Sequence, residues 1–128
     1  MIPICFAFLA VAMLTAAACN RNTGGGGGAK LVKLAFVTNN PSEFWKIAAA
    51  GIHKYEAEAK VQVDIKMPPN GTPEDQNQIM QNLVSQGYDA VAVSVIAPAD
   101  QTPVLDRLAP KTNLITFDSD ADKSKRLL

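Results

Sequence analysis

The sequence predicts an α/β fold: a parallel sheet of about four strands in the order 2-1-3-4, with helices on both faces. Three observations predict it. Between Leu31 and Phe117, short apolar runs alternate with longer stretches of helical periodicity, the βαβαβαβ order that builds parallel sheets. The first and third runs are nearly continuous in apolar and β-branched residues, as in strands covered on both sides, whereas the second alternates apolar with polar. Right-handed crossovers between successive strands then give the order 2-1-3-4.

Leu31–Thr38 reads as a buried strand. In the following Asn39-Asn40-Pro41-Ser42-Glu43, either Asn40 or Ser42 can cap a helix. Asn40 with Glu43 three residues on, and Pro41 at the first helical position, imitates a capping box. Phe44, Ile47, Ala48, Gly51, Ile52 and Tyr55 recur at helical spacing through about Ala59, and this apolar stripe reads as the core-facing side. Val61–Met67 alternates cleanly and is expected at an edge. Thr72-Pro73-Glu74-Asp75 is a helix start, with a cap, proline at the first position and acids in the first turn. Ile79, Met80, Leu83 and Val84 form its buried face, and Gly87 suits the left-handed position after its end. Ala90–Val95 is the third, central strand. Asp100 is expected to cap a short helix carrying Val104, Leu105 and Leu108, with Pro103 in a first turn whose amides lack helical partners. Leu114–Phe117 is the fourth strand and delivers the acidic run Asp118-Ser119-Asp120-Ala121-Asp122.

Composition narrows the functional classes. The 128 residues hold 12 Lys+Arg, 12 Asp+Glu, one His and two Cys. Balanced charge gives no electrostatic case for nucleic acid, and a lone His without a Cys/His cluster argues against a structural zinc site. No formal charge precedes Arg21, so the first twenty residues form a separate block. Residues 1–18 read as a secretory signal peptide, and Thr15-Ala16-Ala17-Ala18-Cys19 resembles a lipobox in which Cys19 becomes the lipidated first residue. An uncleaved anchor helix is the alternative for this stretch. Residues 19–30, with Gly24–Gly28, are then a lipid-anchored flexible tether reaching roughly 20 Å as a coil. Residues 31–128 are the folded part, which contains no cysteine, and the chain is expected to be exported to the periplasm or cell envelope.

Where the winding of such a sheet reverses, between strands one and three, a crevice opens at the C-terminal ends of the strands. The loops feeding it are 38–45, 94–100 and 118–122. They hold two carboxamides (Asn39, Asn40), Phe44, the only tryptophan (Trp45), and the carboxylates of Asp118 and Asp120. Amides donate and accept, an aromatic face covers the C–H face of a ring, and carboxylates accept from neighbouring hydroxyls. The set suits a polyol and requires neither metal nor nucleophile. Each residue also has a plainer reading. Asn39 and Asn40 can shape a turn and a cap, Phe44 shares the helical stripe with Ile47, and Ser94 can be an ordinary strand-end residue. Trp45 lies off that stripe. Asp118, directly after a buried strand, reads as a site residue.

The run Val37-Thr38-Asn39-Asn40-Pro41-Ser42-Glu43-Phe44-Trp45 resembles the first-strand loop of type I periplasmic binding proteins, the ribose-binding-like sugar receptors of ABC importers. Asn70–Gln76 resembles their second helix entry, Gln86–Ser94 with Pro98-Ala99-Asp100 their third strand and its loop, and Thr116–Leu127 the fourth-strand signature of a sugar-receptor subgroup. The likeness runs in register over about residues 31–128. It implies a non-catalytic receptor without a cofactor that binds a monosaccharide and docks on an ABC permease. It also implies ligand contacts from Asn40, Phe44, Trp45, Ser94 and Asp118, to which the residue pattern itself adds Asp120. Many relatives carry Arg after the aspartate, where this chain has Ser119. These receptors close two lobes on the ligand, and by this likeness the chain is expected to be a truncated first lobe with the second absent. Its fourth strand is then expected to be an exposed edge with unpaired amides, and its affinity for monosaccharides to be poor or undetectable.

Two other readings of the residues remain. One is the effector domain of a sugar-responsive transcription regulator, which needs an N-terminal DNA-binding helix pair where residues 1–30 hold an apolar segment and a glycine run. The other is a small metal-dependent phosphohydrolase using Asp118 and Asp120, which no Gly-rich phosphate loop or lysine accompanies.

Overall fold

The computed structural model describes residues 30–128. Residues 1–18, read from the sequence as a signal peptide, Cys19, read as a lipidation site, and nearly all of the stretch read as a tether lie outside the described residues. The elements are β1 (Lys33–Val37), α1 (Glu43–Ala59), β2 (Gln62–Lys66), α2 (Pro73–Ser85), β3 (Ala90–Val93), α3 (Pro98–Leu108), a 3-10 turn at Ala109–Lys111, and β4 (Asn113–Thr116). The sheet is parallel with the order β2-β1-β3-β4, as the sequence predicts. No helix among the described residues is long and apolar enough to cross a membrane.

Alternation along each strand sends neighbouring side chains to opposite faces, and the two faces are filled very differently. Ala35 and Val37 of β1, Val91 and Val93 of β3 and Leu114 of β4 join Met80 and Leu83 of α2 and Leu105 and Leu108 of α3 in one buried cluster. Each such side chain, taken fully from water, contributes roughly 1.5–3 kcal/mol. The other face presents Leu34, Phe36, Ala90, Ala92 and Ile115, all only half-buried. It is covered by α1 alone, and α1 has one buried residue, Trp45.

That burial overturns the reading of α1. Of the predicted stripe, Phe44, Ile47 and Tyr55 face outward, 62%, 77% and 57% exposed, Gly51 is also exposed, and only Ala48 and Ile52 are half-buried. Trp45, off the stripe, is 4% exposed. The helix has been rolled so that Trp45, Ala48, Ala49, Ile52 and Glu56 meet the sheet. The large indole fills the space over Phe36 and Phe117, at 5.9 and 5.8 Å between ring centroids.

Two helix starts resolve or depart from the capping patterns in the sequence. Ser42, not Asn40, is the N-cap of α1, and its side chain makes no capping bond, so Pro41 lies outside the helix and no capping box forms. α3 begins at Pro98 rather than after Asp100, with Ala97 in the cap position. The loop amides of Ile96 and Ala97 are held instead by the Gln101 side-chain oxygen, at 3.1 and 2.9 Å. Pro103 consequently sits inside the helix rather than in its first turn. By contrast α2 starts as read. Thr72 Oγ1 accepts from the Asp75 amide at 3.2 Å, and Gly87 takes φ +75° after the last turn.

The outer edge of β4 is not left bare. Leu127 N–H donates to Leu114 O at 2.8 Å and Thr116 N–H to Leu128 O at 2.7 Å, so the last two residues run along it. At the other end of the sheet, Asp89 fastens the incoming chain. Its carboxylate accepts from Lys30 Nζ and from the Lys33 amide, both at 2.9 Å, and these contacts hold the carboxyl below its usual range.

Candidate functional site

The ladder between β1 and β3 ends at the pair Val37↔Val93. Past it the chain leaves β1 toward α1 on one face and β3 toward α3 on the other, and the loop after β4 folds back beside them. Val95 N–H donates to Ser119 O at 2.9 Å, tying the third and fourth loops together.

A continuous hydrogen-bond chain crosses this end of the sheet. Ser94 Oγ donates to Asp118 Oδ2 at 2.7 Å, Asn39 Nδ2 donates to the same oxygen at 3.4 Å, and Trp45 Nε1 donates to Asn39 Oδ1 at 3.1 Å. The indole of residue 45 and the carboxylate of residue 118 therefore stand at the same end of the sheet, one side chain apart. Asn39, which the sequence suggests for a turn, is the joint between them. Its signal was its place two residues past the end of β1, in a switch-point loop.

Asp118 is exposed and has φ +60°. A non-glycine residue in the left-handed region costs free energy, and Asp tolerates it better than most because its short side chain bonds locally. Here that conformation turns the carboxylate toward Ser94 and Asn39 while a face stays open to solvent.

The aromatic residues divide their roles. Trp45 is enclosed by Phe36, Phe117 and Phe44, so its ring supports rather than presents. Phe44 stands edge-on to it, 4.8 Å between centroids at 78°, and offers its own surface to water. Asn40 is exposed, and its side-chain amide has no hydrogen-bond partner among the described residues. Asp120 is differently engaged. Arg126 grips it through Nε at 2.5 Å and Nη2 at 2.6 Å, and Thr116 Oγ1 also donates to it. Arg126 first, and Thr116 second, hold the Asp120 carboxyl far below its ordinary value. Asp118 and Asp120 thus take different partners, and no group of three His, Cys, Asp or Glu side chains that could hold a metal occurs among the described residues.

Two concavities flank this picture. One of about 180 Å³ lies at the crevice end, between the start of α3 and Asp122–Lys123. A larger one, about 430 Å³, opens between the segments entering β3 and β4, at the N-terminal ends of the strands, where open parallel sheets do not seat ligands.

The lobe is a parallel α/β sheet with its polar side chains gathered at a switch point, the place where open sheets of this kind seat ligands. Residues 34–128 match the periplasmic binding protein domain, and the chain belongs to that family. Solved structures agree in fold. An ABC transporter solute-binding protein from Burkholderia graminis, in complex with D-arabinose, is 27% identical, with a TM-score of 0.70 over 74% of this chain and 33% of that one. LsrB from Clostridium saccharobutylicum, in complex with AI-2, is 27% identical, with a TM-score of 0.69 over 74% of this chain and 30% of its own. The arabinose-binding protein AraP from Geobacillus stearothermophilus is 20% identical, with a TM-score of 0.67 over 75% of this chain and 34% of its own. The chain thus spans about a third of the length of the structures it matches.

Proposed function

We propose that this chain supplies one wall of a monosaccharide site in an exported, non-catalytic solute receptor that delivers its ligand to an ABC permease. The observation that carries the reading is the Ser94–Asp118–Asn39–Trp45 chain across the strand ends. Asp118 would accept hydroxyl hydrogens, at roughly 1.5–3 kcal/mol for a bond to a charged group. Asn40, with a free amide, would donate and accept. Phe44 takes the platform role over the sugar ring, and Trp45 backs it. Ser94 orients the Asp118 carboxylate, and Asp120, engaged by Arg126, contributes at the rim. The bound D-arabinose of the Burkholderia graminis relative supports a sugar as the ligand class. Residues 1–18 as signal, Cys19 as lipid anchor and residues 19–30 as tether fit the same reading.

One wall covers one face of the ring and leaves the other wet, whereas small-molecule sites bury most of their ligand. Binding by the chain itself should be in the millimolar range, about −4 kcal/mol. The test is an amide-resolved NMR titration of the full chain with D-arabinose, D-glucose and D-allose. Saturable shifts at Asn39, Phe44, Ser94 and Asp118, lost in Asp118→Asn, are expected. Shifts confined to other residues, or none, would overturn the sugar reading, and micromolar affinity would overturn the single-wall reading.

A further inference from the structure

Two glutamines lie fully buried directly beneath the crevice, and the assignments above use neither for ligand contact. Gln76, Met80 and Leu83 occupy successive inward positions of α2, and Gln101, Leu105 and Leu108 occupy the equivalent positions of α3. Both carboxamides are 0% exposed. A buried amide left without partners costs several kcal/mol, yet every hydrogen-bonding position here is filled. Gln76 Nε2 donates to Thr38 O at 2.8 Å and to Ser94 O at 2.7 Å. Its oxygen accepts from Gln101 Nε2 at 3.0 Å and from the Ile96 amide at 3.3 Å. Gln101 Nε2 also donates to Asn77 Oδ1 at 2.9 Å, while its oxygen holds the Ile96 and Ala97 amides.

Thr38 and Ser94 are the first residues past the last ladder pair of β1 and β3. Their carbonyls lie where the strands part and the sheet can no longer pair them. Thr38 is followed by Asn39, and Ser94 itself donates to Asp118. We infer that Gln76 is a positioning residue: its single amide nitrogen fixes the separation of the first and third crevice loops, and Gln101 orients that amide. The inference rests on the sugar reading for its functional consequence, but its geometric content can be tested without sugar.

Trp45 is the only tryptophan of the chain. Its indole N–H is bonded to Asn39 in the first of those loops, so its emission reports the crevice directly. The full chain would be compared with Gln76→Leu, with the gentler Gln101→Met, and with Met80→Ala. The last removes buried volume from the same helix without removing a hydrogen bond to either loop. In both glutamine variants, under conditions where circular dichroism shows them folded, Trp45 emission should move to the red and its quenching by acrylamide should rise. The sugar-dependent NMR shifts at Ser94 and Asp118 should weaken about tenfold. Met80→Ala should lower the unfolding midpoint and leave the Trp45 signal as in the parent. If Gln76→Leu does not fold, Gln101→Met is read alone. An unchanged Trp45 signal in the folded glutamine variants, or the same change in Met80→Ala, overturns the inference. Absence of any sugar-dependent shift in the parent chain overturns the sugar reading, and the Trp45 comparison still decides the positioning role.

Discussion

The two faces of the sheet are built from similar amounts of apolar sequence and end up in different states. On one, α2 and α3 seal Val37, Val91, Val93 and Leu114 from water, and even their polar members, Gln76 and Gln101, are fully bonded. On the other, a single helix lies over four strands, Phe44, Ile47 and Tyr55 stand in solvent, and Phe36, Ala92 and Ile115 are half-covered. The difference shows that an apolar stripe states only that a surface is suited to cover, not which neighbour supplies it. α1 was rolled by the demands of one large ring, Trp45, over Phe36 and Phe117.

The largest effect expected from this contrast is in the sealed face. Leu105→Ala should destabilise the chain by about 2–5 kcal/mol in urea unfolding, through lost transfer energy and the cavity left behind. Ile47→Ala on the open face should stay within about 0.5 kcal/mol. If its cost approached that of Leu105→Ala, the open face would be covered in solution, and sedimentation would then show self-association.

Thr72→Ala, which removes the cap of α2, should cost about 1 kcal/mol. Thermal unfolding at matched pH would measure it.

A subtler effect is set by pH at the rim of the sealed face. The Tyr88 hydroxyl donates to Asp64 on β2, and that bond, together with burial, pushes the Tyr88 pKa up to about 12. The folded state therefore holds the proton more tightly than the unfolded state, whose tyrosine has a pKa near 10. The resulting stabilisation is complete below pH ~10 and is lost as pH rises toward about 12. The unfolding midpoint should fall over that window, and Tyr88→Phe should flatten this part of the profile.

The smallest effect concerns the β4 edge. Asp120 has its pKa depressed by Arg126, so its contribution is present above the unfolded carboxylate value of about 4 and lost as pH falls below it. Hydrogen exchange should show the Leu127 and Thr116 amides losing protection in acid, and losing it at neutral pH in Asp120→Asn, with global stability little changed.

Local chemistry was legible in the sequence; partner-dependent packing was not. Thr72-Pro73 and Gly87 define the ends of α2 through bonds made within a few residues, and both stand as read. The strand order follows from chirality, which any right-handed crossover obeys. The start of α3 is not legible, because Asp100 looks like a cap while the amides of Ile96 and Ala97 are satisfied by a glutamine from the helix itself. Asp118, Ser94 and Trp45 stand out in the sequence and lie at one end of the sheet, but the burial of Trp45 and the joining role of Asn39 depend on neighbours from other strands. Gln76 and Gln101 do not stand out in the sequence because polar residues on a helix suggest water. Their spacing with Met80, Leu83, Leu105 and Leu108 carried the signal.

Asp89 takes hold of the chain at Lys30 and Lys33, at the far end of β1 from Asn39 and Asp118. A mechanical load arriving through residue 30 would meet that ion pair first and then run lengthwise along β1. The strand is flanked by β2 and β3, so its bonds to both would resist in shear, many at once, instead of unzipping one after another. Tension entering at residue 30 would be shared with β2 and β3 along the length of β1 before it reached the loops at the opposite tip.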